Sequence, residues 1–297
     1  MGLSAKSRME VALEIEAGGC TDTGRIRKNN EDRYRLAAEI GLFVLSDGMG
    51  GLAAGEVASR VTVDTIVAHC CDAKADPSLA LIGGRVSGVS AAANRLASAI
   101  RLANLAVREE EAQCEGGGKG SSQSAMGATV VAAWVKEGRL SVAHVGDSRA
   151  YRLRGDSFEQ LTRDHSFVAE QVRGGMLSEE EARRSDLQNV LTRALGVEAE
   201  VEVDVVEELV IEGDTLLLCS DGLTRELSDS QIAAVLNSGE NVERVAELLV
   251  DLANQAGGGD NITAVVLRCG PKRGQAFARI GQLGNWFMKS RSNRTRN

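Results

Sequence analysis

Residues 128–161 read ATVVAAWVKEGRLSVAHVGDSRAYRLRGDSFEQL, and this segment indicates the fold class. It alternates four mainly apolar segments with short polar turns. The predicted strands are 128–135, 140–145, 150–153 and 158–161, and the turns are Lys136-Glu137-Gly138, Gly146-Asp147-Ser148 and Arg154-Gly155-Asp156. Turns this short join antiparallel strands, whereas parallel strands need a crossover of a dozen or more residues. The stretch therefore predicts an antiparallel meander and disfavours a parallel dinucleotide-binding fold.

Helical patterns lie on both sides of this meander. Apolar residues recur every three to four positions in 54–69 and in 91–113. The remaining patterns predict strands at 40–45, 201–206, 214–219 and 262–268, and helices at 229–236 and 242–256. Capping boxes at Ser178 and Ser228 mark the starts of two helices. Two groups of helices around antiparallel strands predict an α+β fold, an αββα sandwich of two face-to-face sheets with helices on both outer faces.

The composition is that of an acidic globular protein. The 297 residues carry a net charge of −8, but residues 1–270 hold 27 basic against 42 acidic side chains, because residues 271–297 contain seven Lys or Arg and no acid. An acidic body repels nucleic acid and attracts cations. The sequence shows no apolar run near the ~20 residues of a membrane helix, and its six cysteines form no CxxC pair. We therefore expect a cytoplasmic protein without a nucleic-acid partner.

Four acidic clusters lie where an apolar segment meets a tight loop. They are Asn29-Asn30-Glu31-Asp32, Ser46-Asp47-Gly48-Met49-Gly50-Gly51, Cys219-Ser220-Asp221-Gly222 and Gly257-Gly258-Gly259-Asp260-Asn261. A single Asp-Gly pair is typical of a turn. Several carboxylates beside glycines supply instead the oxygen ligands that hard divalent cations prefer. The clusters predict a metal-dependent phosphoryl hydrolase, in which two cations place a bridging water or hydroxide in line with phosphorus.

Arg27 lies five residues before Asp32 and is the candidate for holding the phosphate. A guanidinium suits a phosphate dianion because its parallel N–H groups can donate to two oxygens. The spacing alone leaves a second interpretation open, in which Arg27 is a solvated surface charge.

Eight motifs follow one another in order between about residues 18 and 268. They are Thr21-Asp-x-Gly-x-x-Arg27-x-x-Asn-Glu-Asp32, Asp47-Gly-Met-Gly-Gly51, Met126-Gly-Ala-Thr129, Val145-Gly-Asp-Ser-Arg149, Leu161-Thr-x-Asp-His-Ser166, Asn189-Val-Leu-Thr-Arg-Ala-Leu-Gly196, Ser220-Asp-Gly-Leu-Thr224 and Asp260-Asn-Ile-Thr263. In residues and spacing they resemble the bacterial branch of the metal-dependent protein phosphatases (PPM, type 2C). The resemblance implies an αββα sandwich, dependence on two or three Mg²⁺ or Mn²⁺ ions, and hydrolysis of phosphoserine and phosphothreonine in proteins.

The resemblance also implies a role for each metal ligand. Asp47 would bridge two cations, and the carbonyl of Gly48 would be a further ligand. Asp221 and Asp260 would bind one of the two cations. Asp32 would act on the side of the second cation through water, with Glu31 nearby.

Phosphate binding and proton transfer follow from the same comparison of motifs. The resemblance assigns Arg27 to the phosphate, and Asp147 with Asp221 to a weaker third cation. Met49 stands where eukaryotic members carry a histidine thought to protonate the leaving alkoxide, and bacterial relatives commonly carry Met there. Methionine cannot donate a proton, so a cation-bound water is the first candidate for the general acid. His165 is expected to cap a loop rather than to transfer a proton.

The predicted organisation is an N-terminal extension at 1–11, a phosphatase domain at 12–270 with a flap at 164–196, and a basic tail at 271–297. The tail is either a flexible terminus or an amphipathic helix that contacts a membrane or a partner. We expect a monomer that acts on phosphorylated proteins, the substrates of a Ser/Thr kinase. Two other functions stay open: a phosphoprotein-binding regulator with little activity, and a phosphatase acting on anti-sigma-factor antagonists.

Overall fold

A computed structural model describes residues 13–50, 54–76, 78–115 and 126–271, and within these ranges the chain forms eleven strands and seven helices. The strands are β1 Leu13–Asp22, β2 Asp32–Ala37, β3 Leu42–Met49, β4 Gly127–Ala128, β5 Val130–Lys136, β6 Arg139–Val145, β7 Arg149–Arg154, β8 Ser157–Gln160, β9 Asp204–Leu209, β10 Thr215–Cys219 and β11 Ile262–Pro271. The helices are α1 Ala54–Ala75, α2 Ala91–Glu115, α3 Phe167–Arg173, α4 Glu179–Arg183, α5 Asp221–Glu226, α6 Asp229–Leu236 and α7 Val242–Ala256.

The strands build two antiparallel sheets. One has the order β1-β11-β10-β7-β8 and the other β2-β3-β5-β6-β9, with β4 beside β3. The predicted meander is confirmed as strands but is shared between the sheets, because β5 and β6 belong to one and β7 and β8 to the other. The turn Gly146-Asp147-Ser148 is therefore a crossing between sheets and not a hairpin. This crossing carries Asp147 to the end of the sandwich.

Three hydrophobic clusters hold the layers together. Phe43, Leu45 and Val131 of one sheet pack against Leu216 and Val265 of the other to form the central core. A second cluster joins the six-stranded sheet to α1 and α2, and a third joins the five-stranded sheet to α5, α6 and α7. The predicted αββα sandwich is confirmed. Burial of these apolar side chains is the dominant favourable term in its stability.

Several element boundaries differ from those predicted. The strand predicted at 201–206 begins at Asp204, and the strand predicted at 128–135 is interrupted at Thr129, whose backbone N–H donates to the Asp47 carbonyl at 2.8 Å. Both helices with predicted capping boxes are confirmed, with reciprocal bonds at Ser178 and Ser228. Strands β1 and β2 and helices α3 and α5 were not predicted, because the helices are short and the alternation of apolar and charged residues in each strand spans only a few positions.

The two ends of the chain were also assigned from the sequence. The extension predicted at 1–11 and the tail predicted at 271–297 lie outside the described residues, except for Pro271 at the end of β11. The domain boundaries stay a prediction. Among the described residues, no helix combines the length and apolar character that a membrane span needs.

Candidate metal centre

The predicted acidic residues meet at one end of the sandwich, where strands of both sheets terminate. Asp32 begins β2 and lies directly opposite Asp47 near the end of β3 in the antiparallel register. Asp221 follows β10 and Asp260 precedes β11, in the other sheet. The Ser220 hydroxyl donates to Asp32 Oδ2 at 2.7 Å and so joins the two sheet ends.

Asp32 is the most deeply buried carboxylate of the group. Its Oδ2 accepts hydrogen bonds from the hydroxyls of Ser220 at 2.7 Å and Thr263 at 2.6 Å, while its Oδ1 is buried without a hydrogen-bond partner. Burial raises the pKa of Asp32 from 3.8 to about 7, although these two hydrogen bonds act to lower it. What this carboxylate lacks is a positively charged partner beside Oδ1.

Asp47 lies among the other carboxylates. Burial raises its pKa well above the ordinary value, and the charges of Asp32, Asp221 and Asp147 raise it further. Its backbone is fixed by Thr129, because the Asp47 N–H donates to the threonine hydroxyl at 3.2 Å. This arrangement concentrates negative charge around a residue that could bridge two cations.

Asp221 and Asp260 are paired with two arginines. Asp260 Oδ2 accepts from Arg27 at 2.9 Å and from Arg225 at 3.2 Å, and Arg225 also forms an ion pair with Asp221. Asp221 Oδ1 is buried without a partner. Burial raises the pKa of Asp221, and the charge of Asp260 adds to the effect. Arg27 therefore lies at the centre and is not an isolated surface charge, although its side chain is 49% exposed.

Asp147 reaches the same end of the molecule through the crossing between the sheets. Burial raises its pKa to about 8, and the nearby charges of Asp221 and Asp164 contribute. The next residue, Ser148, shares a hydrogen bond of 2.7 Å with the Thr129 hydroxyl that also accepts from Asp47. The loop of Asp147 is thereby tied to the strand end that carries Asp47.

Glycines allow the loops of the centre to approach closely. A Cβ atom at Gly222 would collide with the backbone carbonyl of Asn261, and one at Gly48 would collide with the carbonyl of Gly55. Neither collision can be relieved by a rotamer change, because the obstructing atoms are backbone. Glycine is therefore needed beside Asp47 and Asp221 for a steric reason, in addition to the conformational freedom predicted for the turns.

The set of side chains fits hard divalent cations. Every charged group that converges here from the predicted clusters is a carboxylate, the ligand that Mg²⁺, Mn²⁺ and Ca²⁺ prefer. Asp32 Oδ1 and Asp221 Oδ1 are buried acceptors without a donor, and leaving such atoms unpaired is costly. The pKa values of Asp32, Asp47 and Asp147 are all raised, first by burial and then by the charges of neighbouring carboxylates.

His144, His165 and Asp204 form a second group close enough to share a cation, with one ligand atom of each within 4.8 Å of the others. The hydrogen bonds argue against a metal there. His165 Nδ1 accepts from the Gly146 N–H at 3.1 Å, and the Arg193 guanidinium lies 3.2 Å from Nε2, so neither ring nitrogen is open to a cation. The Arg193 guanidinium, 2.7 Å from Asp204 Oδ1, already supplies a positive charge.

The two histidines of this second group instead stabilise the loop around Gly146 by ring stacking and a hydrogen bond. The His144 and His165 rings stack with centroids 4.7 Å apart, and burial lowers the pKa of His165 to about 4, with His144 and Arg193 adding to the effect. His165 is therefore neutral at physiological pH, and its bond from Gly146 agrees with the expected loop-capping role. A neutral imidazole is too weak an acid to serve as the general acid at this pH.

Several residues of the centre were not singled out from the sequence. Ser220, Thr263 and Thr129 orient the carboxylates, and Asn261 fixes the loop of Arg27 by donating to the carbonyls of Thr23 and Asn29 at 2.9 Å. All four residues stand inside the quoted motifs and could have been noticed there. The spacing within a motif does not show, however, which side chains they contact in the fold. Arg225 was missed because helix α5 was not predicted. Four residues along a helix place it on the same face as Asp221.

Comparisons with known proteins agree in family and fold. Residues 25–257 match the family model described as Protein phosphatase 2C. The serine/threonine phosphatase stp of Listeria innocua is 36% identical over 253 residues, 83% of this chain and 93% of the relative. The crystal structure of the serine/threonine phosphatase PstP/Ppp of Mycobacterium tuberculosis gives a TM-score of 0.72 at 34% identity, covering 86% of this chain and 99% of that chain. A structure of the PstP catalytic domain in complex with two manganese ions gives 0.68 at 34% identity, covering 87% of this chain and 100% of that chain.

Proposed function

This chain belongs to the protein phosphatase 2C family, and on that premise we propose that it hydrolyses phosphoserine and phosphothreonine in proteins at the aspartate centre. The observation that carries the proposal is the convergence of five carboxylates beside an arginine. Asp47, Asp32 and Asp221 lie at the same end of the sandwich, and burial together with the charges of neighbouring carboxylates raises the pKa of each. Such an arrangement destabilises the folded protein when no cations are bound. With cations bound, it can catalyse phosphoryl transfer.

The residues divide into ligands for two Mg²⁺ or Mn²⁺ ions and a weaker third. Asp47 would contact both principal ions, with Asp221 and Asp260 on one side and Asp32 on the other. The Gly48 carbonyl would be a further ligand, and Asp147 with Asp221 would hold the third ion. Bound cations would supply the positive charge that acidifies a water molecule and neutralises the phosphate. The PstP structure with two manganese ions supports the count of two.

Arg27 would bind the phosphate group. It projects from a loop that Asn261 fixes in place, and its ion pair with Asp260 keeps the guanidinium at the edge of the centre. The leaving serine or threonine oxygen must gain a proton, which Met49 cannot supply. His165 is neutral and engaged with Gly146. Water at the centre therefore stays the first candidate for the general acid.

The wider setting follows from the chemistry of the substrate. Phosphorylated proteins are the products of Ser/Thr kinases, so we propose that this enzyme removes the phosphate groups that such a kinase adds. We also propose that it is a monomer in the cytoplasm. A phosphoprotein-binding regulator with little activity is disfavoured because no aspartate of the centre is missing. A phosphatase restricted to anti-sigma-factor antagonists is also disfavoured, since the relatives compared above carry the name of serine/threonine phosphatases.

Phosphate release from phosphopeptides tests the proposed function. With Mn²⁺, the full chain should release phosphate from phosphothreonine and phosphoserine peptides and leave a phosphotyrosine peptide largely intact. EDTA and Asp221→Asn should each abolish release, because both remove cation binding. Asp251→Asn makes the same change at an exposed position of α7 and should keep wild-type activity. Turnover that survives EDTA, or an inactive wild type that binds Mn²⁺, would contradict the proposal.

Arg27→Ala should raise KM for a phosphothreonine peptide by about 10- to 100-fold, since a charge-assisted hydrogen bond contributes about 1.5–3 kcal/mol. Lys28→Ala removes an adjacent exposed charge and is the control. Steady-state kinetics at saturating Mn²⁺ would measure both variants. Equal KM values for Arg27→Ala and Lys28→Ala would return Arg27 to the role of a surface charge.

A further inference from the structure

Arg225 holds a position that the phosphatase reaction does not explain. Helix α5 begins at Asp221, and Arg225 lies one turn further along on the same face. Its guanidinium spans two carboxylates of the centre, pairing with Asp221 through Nη2 and with Asp260 through Nη1 at 3.2 Å. Because helix α5 carries both residues of the Asp221 pair, the Arg225 guanidinium reaches the centre from a fixed backbone position.

The atoms that Arg225 contacts are those assigned to the cations. Both oxygens of Asp260 are engaged: Oδ1 accepts from the Asn261 N–H at 2.8 Å, and Oδ2 accepts from Arg27 and Arg225. Asp221 Oδ2 accepts from Arg225, which leaves Oδ1 as its unpartnered oxygen. A divalent cation that binds both carboxylates must therefore displace this guanidinium or share its oxygens with a like charge.

We propose that Arg225 is a built-in competitor of the divalent cation at Asp221 and Asp260, and that it sets the cation concentration at which this phosphatase becomes active. The inference rests on the proposed cation centre. Without a cation, Arg225 neutralises part of the carboxylate charge and stabilises the empty centre. With a cation bound, the guanidinium is released. The enzyme thereby needs more cation to fill the site than its carboxylates alone would require.

The size of the effect follows from the population of the closed ion pair. If Arg225 covers Asp221 and Asp260 in about nine molecules of ten, the apparent affinity for the cation falls about tenfold, because only the open fraction binds. Arg225→Gln should remove this competition. Arg225→Lys keeps the charge but has a single ammonium that cannot span both carboxylates, so its affinity should lie between those of wild type and Arg225→Gln.

Isothermal titration calorimetry with Mn²⁺ on the full metal-free chain tests the proposal without any turnover. We expect Arg225→Gln to bind Mn²⁺ about tenfold more tightly at one site, and Arg244→Gln, which removes an arginine paired with Glu247 on α7, to bind as wild type does. Equal affinity of Arg225→Gln and wild type, or weaker binding by the variant, would overturn the proposal. No Mn²⁺ binding by wild type would overturn the cation centre and the competition together.

Thermal unfolding separates competition from a merely structural role. Arg225→Gln should lower the melting temperature in EDTA, since two carboxylates lose their counter-charge, and should show a larger rise on Mn²⁺ addition than wild type. A residue that only supports the fold would lower both melting temperatures equally, and that result would also overturn the proposal. If the protein binds Mn²⁺ normally but does not hydrolyse phosphopeptides, the proposed function is contradicted. The calorimetry and the melting temperatures would still test whether Arg225 competes with the cation.

Discussion

Asp47→Asn should reduce phosphopeptide turnover by at least about a thousandfold while making the metal-free protein more stable. Asp47 is the residue around which the other carboxylates gather, and an asparagine would keep its shape and lose the charge that holds two cations. Charge stabilisation by a metal ion contributes several kcal/mol to a transition state, and about 4 kcal/mol corresponds to this loss. Phosphate release under saturating Mn²⁺ measures the effect.

The gain in stability has the same electrostatic origin. In the metal-free protein, the charge of Asp47 is opposed by burial and by Asp32, Asp221 and Asp147. Removing that charge should raise the urea midpoint in EDTA at pH 8 and lower the stabilisation that Mn²⁺ provides. Asp156→Asn, in the exposed turn between β7 and β8, should change neither quantity. A variant that retains activity, or one less stable than wild type in EDTA, would show that Asp47 is not the central ligand.

The metal-free protein should lose on the order of 4 kcal/mol of unfolding free energy between pH 6.5 and pH 8. An acid whose folded pKa is raised keeps its proton in the native state after the unfolded chain has released it, so its stabilisation is lost as pH rises. The pKa of Asp32 is raised to about 7, that of Asp147 to about 8 and that of Asp47 well above 3.8. Retention of about two protons across this range gives the stated loss.

The range of pH is chosen to isolate the carboxylates. The lowered pKa values of His69, His144 and His165 act in the opposite direction, and most of that effect is complete by about pH 7, because the unfolded histidines titrate around 6.5. Urea denaturation in EDTA at both pH values would measure the loss, and Asp32→Asn should reduce it. Saturating Mn²⁺ should reverse the trend, since cations bind the deprotonated carboxylates. Equal stability at pH 6.5 and pH 8 without metal would mean that the aspartates are not crowded in solution.

The architecture was largely predictable because its signals are local. Helix α7 buries Val242, Val245, Ala246 and Leu249 on one face, and its observed bounds are those predicted from that periodicity. Helix α6 was fixed by its capping box. Strand β1 was not predicted although Leu13, Ile15 and Ala17 alternate with two glutamates, because that alternation covers only five residues before two glycines. The strand predicted at 201–206 was displaced because Val201 and Val203 are buried outside the strand and mimic its pattern.

The sequence is sufficient to predict the residue types that form the site and the family of the chain. It identified Asp32, Asp47, Asp147, Asp221 and Asp260, with Arg27, from motifs that are short and local. The packing of the two sheets is needed to know which carboxylate oxygens lack a hydrogen-bond partner, that the 146–148 turn crosses between the sheets, and that Arg225 pairs with two of the carboxylates. The deciding contacts join residues far apart in the chain, such as Thr263 to Asp32 across 231 positions and Arg27 to Asp260 across 233. Periodicity and spacing report a residue's neighbours along one element, whereas such contacts arise only when two sheets pack and their strand ends coincide.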